Sequence, residues 1–247
     1  MKDPAIIEKD ILFAARHCGR QRRVFLADGD PLIMPQSRLL PLLRSIRTHL
    51  PRVTRVGIYG NAKSIRSKSD EQLRALREHG LGIVYMGVET GDDVTLRRIR
   101  KGVRADTMVE MGQRIIAAGM KLSVTVLLGI AGSDRSRIHA ESTGKALSRM
   151  DPDYVGALSL MLLPNTPLAR DYQEGHFDLI GPTEMIRELQ TMMYHTDLSS
   201  GLFHANHASN YVPIKARFPR DKAATIALLD KALSGELPLT PEFMRAL

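Results

Sequence analysis

The chain has 247 residues, 43% hydrophobic and 25% charged, with a formal net charge of +8, which suits one large α/β domain or two small ones. Its one cysteine, Cys18, rules out an intramolecular disulfide and any cysteine-built metal or cluster site made by this chain alone. No run approaches the roughly eighteen apolar residues of a membrane span, and the start MKDPAIIEKD lacks the charged-then-apolar pattern of a secretory signal, so a cytoplasmic protein is expected.

The positive charge raises the odds of an anionic partner such as a nucleotide or RNA. The basic residues bunch at 16 to 23 and 97 to 104, both near predicted helix C-termini, where cations offset the helix dipole. With six Phe, six Tyr and no Trp, the chain is poor in the stacking platforms of single-strand binders, so a nucleic-acid partner rests on charge alone.

In chain order, DPAIIEKDILFAARHCG reads as an amphipathic helix, followed by the apolar run VFLADGD (24 to 30). Further runs of this kind are RVGIYGN (55 to 61), IVYMGVETG (83 to 91), KLSVTVLLG (121 to 129) and YVGALSLMLL (154 to 163), each expected as a buried parallel strand. Helix-period segments lie between them: PQSRLLPLLRSIRTHL, SDEQLRALREHG, DDVTLRRIRKG with ADTMVEMGQRIIAAG, and SRIHAESTGKALSRM. Alternation of strand and helix at a spacing of about thirty residues predicts an α/β fold, a doubly wound sheet or a (β/α) barrel. Residues 1–181 carry this pattern. From 182 to 247 the chain reads helix, loop (LSSGLFHANHASNYVPIKARFP) and helix, expected as an extension packed on the same core, because no Gly/Ser/Pro linker intervenes.

The candidate site residues sit at strand ends, where parallel α/β sheets bind ligands. The first run ends ADGDP, with Asp28 and Asp30 as carboxylates or turn caps and Gly29 allowing close backbone approach. The second ends at Tyr59 and Asn61, the third at Glu89 with Lys101 twelve positions on, and the fourth in LLGIAG. Each has a bland alternative: Glu89 as a cap on the next helix, Lys101 as a cation at a helix end, DGDP as an ordinary turn.

The ordered series VFLADGDPL, YGN, GVETGDDVTLRRIRKG, GMKLSVTVLLGIAG and PDYVGALSLMLLPNTPL resembles the core of the radical S-adenosylmethionine (SAM) enzymes, in the branch of coproporphyrinogen oxidases and methylthiotransferase-like proteins. The resemblance covers about residues 5 to 170 and implies a partial (β/α) barrel that binds SAM. By resemblance, Asp28, Gly29 and Asp30 receive the amino group of SAM, Glu89 contacts SAM, and Lys101 meets its carboxylate. Leu127, Leu128 and Gly129 line the adenine with Leu160 beside them, and Asn61 matches a ribose contact more loosely.

The family cleaves SAM reductively with a four-iron, four-sulfur cluster held by a CxxxCxxC triplet, and this sequence contains no such triplet. Cys18 is expected as a half-buried structural thiol. The opening helix stands where it would follow a strand, so the expectation is a chain lacking its first strand and cluster loop through truncation, inactive as given, with no catalytic residue assigned. Two rivals stay open: a cluster-free module binding SAM or another nucleotide and acting through a partner, and a barrel enzyme of aldolase or phosphate-ester type using Lys101, Asp28 or Asp30. The segment His204 to Tyr211, with Asn206, His207 and Asn210, is expected as a polar loop over the barrel mouth that touches substrate. No metal is expected there, because no carboxylate lies nearby in sequence.

Overall fold

The structure, a computed structural model, describes residues 2–246. The elements in chain order are α1 (Pro4–His17), β1 (Arg23–Leu26), α2 (Gln36–His49), β2 (Arg55–Tyr59), α3 (Ala62–Arg66), α4 (Asp70–Glu78), β3 (Leu81–Glu89), α5 (Asp93–Arg98), α6 (Ala105–Ala117), β4 (Lys121–Leu128), α7 (Ser136–Met150), β5 (Tyr154–Ser159), α8 (Pro167–Gln173), α9 (Pro182–Tyr194), β6 (Gly201–Ala205), β7 (Ile214–Phe218) and α10 (Lys222–Leu233). The helix starts carry their own signals. Asp3 caps α1 ahead of Pro4, and Ser69 with Gln72 forms a reciprocal capping box on α4.

The strands form a seven-stranded sheet ordered β1 to β7, with β1 parallel to β2, β2 to β3, β4 to β5 and β5 to β6, and β7 antiparallel to β6. Consecutive parallel neighbours joined through helices are what the βαβα pattern dictates. The residues group into two compact units, 1–86 with 111–122 and 87–110 with 123–247.

In the first unit Leu39, Leu43 and Ile46 of α2 and Leu73 and Leu76 of α4 are fully or almost fully buried, together with Ile58 and Val84 of the strands. In the second unit β4 and β5 alternate strictly. Val124, Val126 and Leu128 are buried, whereas Ser123, Thr125 and Leu127 are half-buried on the opposite face. This alternation is the period-2 signature of a sheet packed on one side only.

Three expectations change. The segment 198–219, expected as loop, carries β6 and β7, so His204 is a strand residue and the sheet gains two strands. The runs GLFHA and IKARF are short, only IKARF alternates apolar with polar residues, and their pairing with each other supplies the hydrogen bonds that five residues lack alone. Cys18 is exposed rather than half-buried, since it closes α1 as the C-cap and donates its amide to Ala14 O. β5 ends at Ser159, leaving Leu160 just beyond it with its amide on Leu128 O at 2.9 Å.

Candidate functional site

In the first unit β1 delivers the chain into a turn where Asp28 and Gly29 both take positive φ, 72° and 75°. Glycine adopts this readily, but an aspartate does so at a cost. Nothing lies within 4 Å of a Cβ built on Gly29, so the turn is open above that residue. Asp30 follows and spends one carboxylate oxygen on the amide of Asn61, 3.3 Å away at the end of β2. Its other oxygen, Oδ1, is buried without a hydrogen-bond partner. The Lys68 ammonium, 5% exposed, donates to Met34 O at 2.8 Å; burial pushes its pKa down while the Asp30 charge opposes that shift. A groove of about 530 Å³, walled by α1 and α2, runs beside Val24 to Asp28.

The first unit therefore gathers Asp28, Gly29, Asp30 and Asn61. The Oδ1 of Asn61 is already committed, since it accepts the amides of Lys63 and Ser64 as the N-cap of α3. Only its amide nitrogen is left to a ligand.

In the second unit β3 ends at Glu89 with φ 64°, a left-handed conformation that costs a non-glycine residue on the order of 1 kcal/mol. The next amide, of Thr90, turns back to Val88 O at 2.8 Å. The Glu89 carboxylate accepts from Lys101 Nζ at 2.9 Å, both side chains being about one-fifth exposed. This pair folds over Gly87, where a Cβ would stand 2.4 Å from the carboxylate and 3.3 Å from the ammonium. Of the two bland alternatives, the cap at Glu89 does not hold, and Lys101, three residues past the end of α5, turns its side chain to Glu89. Asp92, not Glu89, caps α5 by accepting the amides of Val94 and Thr95.

Behind Thr90 lies a buried polar network. His139 Nδ1 is 2.7 Å from Thr90 Oγ1 and 3.3 Å from Thr143 Oγ1, and Thr143 accepts the amide of Gly91 at 2.8 Å. His139 Nε2 lies 3.3 Å from Glu188 Oε1 without hydrogen-bond geometry. Glu188, 2% exposed, accepts the amide of Gly129 at 2.6 Å and the hydroxyl of Ser136. The ends of β3 and β4 are thus held through α7 and α9. Gly129, at φ 80°, adopts a left-handed backbone that a side chain would strain.

A second anchor lies at Asp92, which Arg135 engages with two hydrogen bonds of 2.8 and 2.9 Å. Burial alone would raise the Asp92 pKa, but the bonds from Arg135, Thr95 and the backbone overcome it and hold the carboxyl far below its usual range. Sequence reasoning missed Asp92, Arg135, His139, Thr143 and Glu188. For Glu188 a signal exists: it lies three and four residues from Met185 and Met192 on the buried face of α9, where an unpaired charge would be costly.

The remaining expected residues separate. Leu127 lies on the half-open face of β4, whereas the Leu128 side chain belongs to the packed face, against Met185 and Leu189. Asn206 and His207 are exposed, with His207 Nδ1 3.0 Å from Ser209 Oγ. Asn210 is buried and structural, accepting from the Ser159 hydroxyl and donating to Ala157 O at 2.9 Å. Arg245 stacks 4.0 Å over the Tyr211 ring and donates to Ser209 O at 2.7 Å, pinning this loop.

Residues 2–140 match the family model of the radical SAM superfamily. Among curated proteins the chain is 22% identical over 191 residues to the heme chaperone HemW of Bacillus subtilis (strain 168), covering 77% of this chain and 49% of that one. The chain thus spans about half the length of this relative. Among solved structures, coproporphyrinogen III oxidase (HemN) from Escherichia coli aligns with TM-score 0.60 at 15% identity, over 76% of this chain and 43% of the other. Elp3 of the archaeon Methanocaldococcus infernus aligns with TM-score 0.58 at 13% identity, over 93% and 58%. Methylornithine synthase (PylB) aligns with TM-score 0.55 at 21% identity, over 77% and 54%. These structural likenesses speak to the fold, and the family match extends over more than half of the chain: this protein belongs to the radical SAM superfamily.

Proposed function

We propose that this chain binds S-adenosylmethionine at the strand ends of the second unit, around the end of β3. The observation that carries the reading is the end of β3, where Glu89 is held at strained φ and paired with Lys101 over a glycine, although neither residue caps a helix. Backbone strain retained beside an accessible ion pair is characteristic of groups arranged for a ligand. Lys101 offers the cation for a ligand carboxylate and Glu89 keeps that ammonium oriented. Leu127 and Leu160 offer half-buried apolar surface for the adenine. Taken by itself, the first unit offers an ammonium donor the orphaned Oδ1 of Asp30, beside the open turn at Asp28 and Gly29. SAM, when bound, supplies a sulfonium whose carbon–sulfur bonds are activated for cleavage.

The cluster that the family implies does not fit the residues present. Its three thiolates cannot come from one exposed cysteine, so any cluster working with this chain draws its ligands from outside these 247 residues, and no radical step is assigned to them. The same observation favours a second reading, a cluster-free SAM-binding module acting through a partner. Anaerobic reconstitution tests the ligand count on which both rest: about four irons per chain with a visible absorption band would overturn it.

Calorimetric titration with SAM tests the first reading. The unmodified protein should bind SAM, and Glu89→Gln and Lys101→Met should each weaken binding roughly tenfold to a hundredfold, the value of a charge-assisted hydrogen bond. Absence of SAM binding, or unchanged affinity in both variants, overturns it.

A further inference from the structure

The strand register of the second unit brings together residues far apart in sequence. Thr125 pairs with Gly156, Gly156 with His204, and His204 with Lys215, so the four stand in one row across β4, β5, β6 and β7. The adjoining row runs Ser123, Tyr154, Leu202 and Arg217. Laterally paired residues point to the same face of a sheet, and these belong to the half-open face opposite the helix-packed one.

Three features of the first row point to a ligand. First, Gly156 leaves a gap: a Cβ there would meet Val124 O at 3.8 Å and Leu158 Cδ1 at 3.9 Å without a clash, so the place between Thr125 and His204 has room, with Leu158 at its edge. With strands about 4.8 Å apart, the opening between those two residues is about 10 Å wide at the backbone. Second, the side chains of His204, Lys215 and, in the adjoining row, Arg217 make no hydrogen bond or ion pair among the described residues; Asp221, which accepts the Arg217 amide and feels its charge, is engaged by the Arg220 side chain at 2.6 Å. Third, apolar surface flanks the gap, Leu127 and Leu158 on one side and Leu202 on the other. Exposed cations on an edge strand such as β7 also discourage strand pairing. That accounts for Lys215 and Arg217 but for neither the histidine one strand further in nor the glycine gap beside it.

We propose that this slot, floored by Gly156 and faced by Thr125, His204, Lys215 and Arg217, binds the anionic group of a small organic carboxylate or phosphate, the second ligand beside SAM. The assignment rests on the SAM-binding reading for its role as a substrate subsite. The binding itself does not. Burial and then the Lys215 charge hold the His204 pKa below its usual value, and Lys215 is the one charged residue in its row. An anion seated against Lys215 should therefore raise it.

The experiment follows the His204 ring signals by NMR, assigned with His204→Gln, without SAM, during titration with benzoate, phenyl phosphate and neutral benzyl alcohol. Both anions should shift the His204 signals saturably and raise its titration midpoint, with the tighter of the two naming the ligand class, and the alcohol should do neither. Lys215→Met/Arg217→Met should weaken anion binding at least tenfold, and Gly156→Val should abolish it without lowering the melting temperature much, since its Cβ meets no close contact. Shifts by neither anion, equal shifts by the alcohol, or unaltered affinity in the double variant, whose two sites are exposed and dispensable to the core, would overturn the proposal. If SAM fails to bind while the anions bind as described, the slot stands and only its place beside SAM falls.

Discussion

The turn after β1 and the turn after β3 both place a carboxylate residue at positive φ, Asp28 at 72° and Glu89 at 64°, and they differ in what holds them there. β1 is four residues long, half-exposed or exposed throughout, and its turn is backed by one bond from the Asn61 amide to Asp30. β3 is nine residues long, and its turn is backed by Lys101 in front and by the Thr90, His139 and Thr143 bonds behind. The lesson is that strain at a strand end is carried by neighbours of the strained residue, through packed polar groups that themselves need not touch a ligand.

The comparison breaks most readily at Glu188. Glu188→Ala would leave the Gly129 amide, the Ser136 hydroxyl and His139 facing an apolar void, and should cost about 3 to 5 kcal/mol in urea unfolding. Glu188→Gln, which keeps an acceptor, should cost less than half as much. Equal costs for the two would show that volume rather than hydrogen bonding holds the β4 end.

Acid should reveal the second anchor. The Asp92 carboxyl titrates near 3.9 in an unfolded chain and well below that when folded, so its contribution is complete above about pH 5 and fades as pH falls toward the folded value. Asp92→Asn should lower stability at pH 7 by about 1.5 to 3 kcal/mol and flatten the loss between pH 5 and 3. Parallel stability curves for the two proteins over that range would show that Arg135 contributes nothing through this charge.

At the β3 end itself the effect on fold should be small. Lys101→Met and Glu89→Gln should shift stability by less than about 1 kcal/mol, the range of a partly exposed pair, while weakening SAM binding as stated above. A large fall in melting temperature with intact SAM binding would make the pair a fold element. The smallest effect is expected at Asp28, where Asp28→Gly should stabilise by up to about 1 kcal/mol by releasing the left-handed strain on an exposed side chain. Loss of stability in that variant would mean that the β1 turn is held by its side chain as firmly as the β3 turn.

Five strands and eight of the helices were legible because their apolar residues repeat with the period of the element, over windows long enough to be read without partners. The strand-end acids were legible for a related reason: in VFLADGD and MGVETG the apolar run stops at the carboxylate. β6 and β7 were not, because five residues with one or two polar side chains resemble a loop until each is paired with the other.

What the sequence by itself determined is therefore the kind and order of the elements and which residue types reach their ends. Tertiary structure alone decided what those residues touch. Lys101 meets Glu89 from twelve positions away, His139 meets Thr90 from forty-nine, and Glu188 meets the Gly129 amide from fifty-nine. Helix period brings together residues three or four apart and strand period those two apart, so contacts at such separations exist only once α7 and α9 have packed against the sheet. The same holds for the row from Thr125 to Lys215, which the register of four strands creates and no local pattern announces.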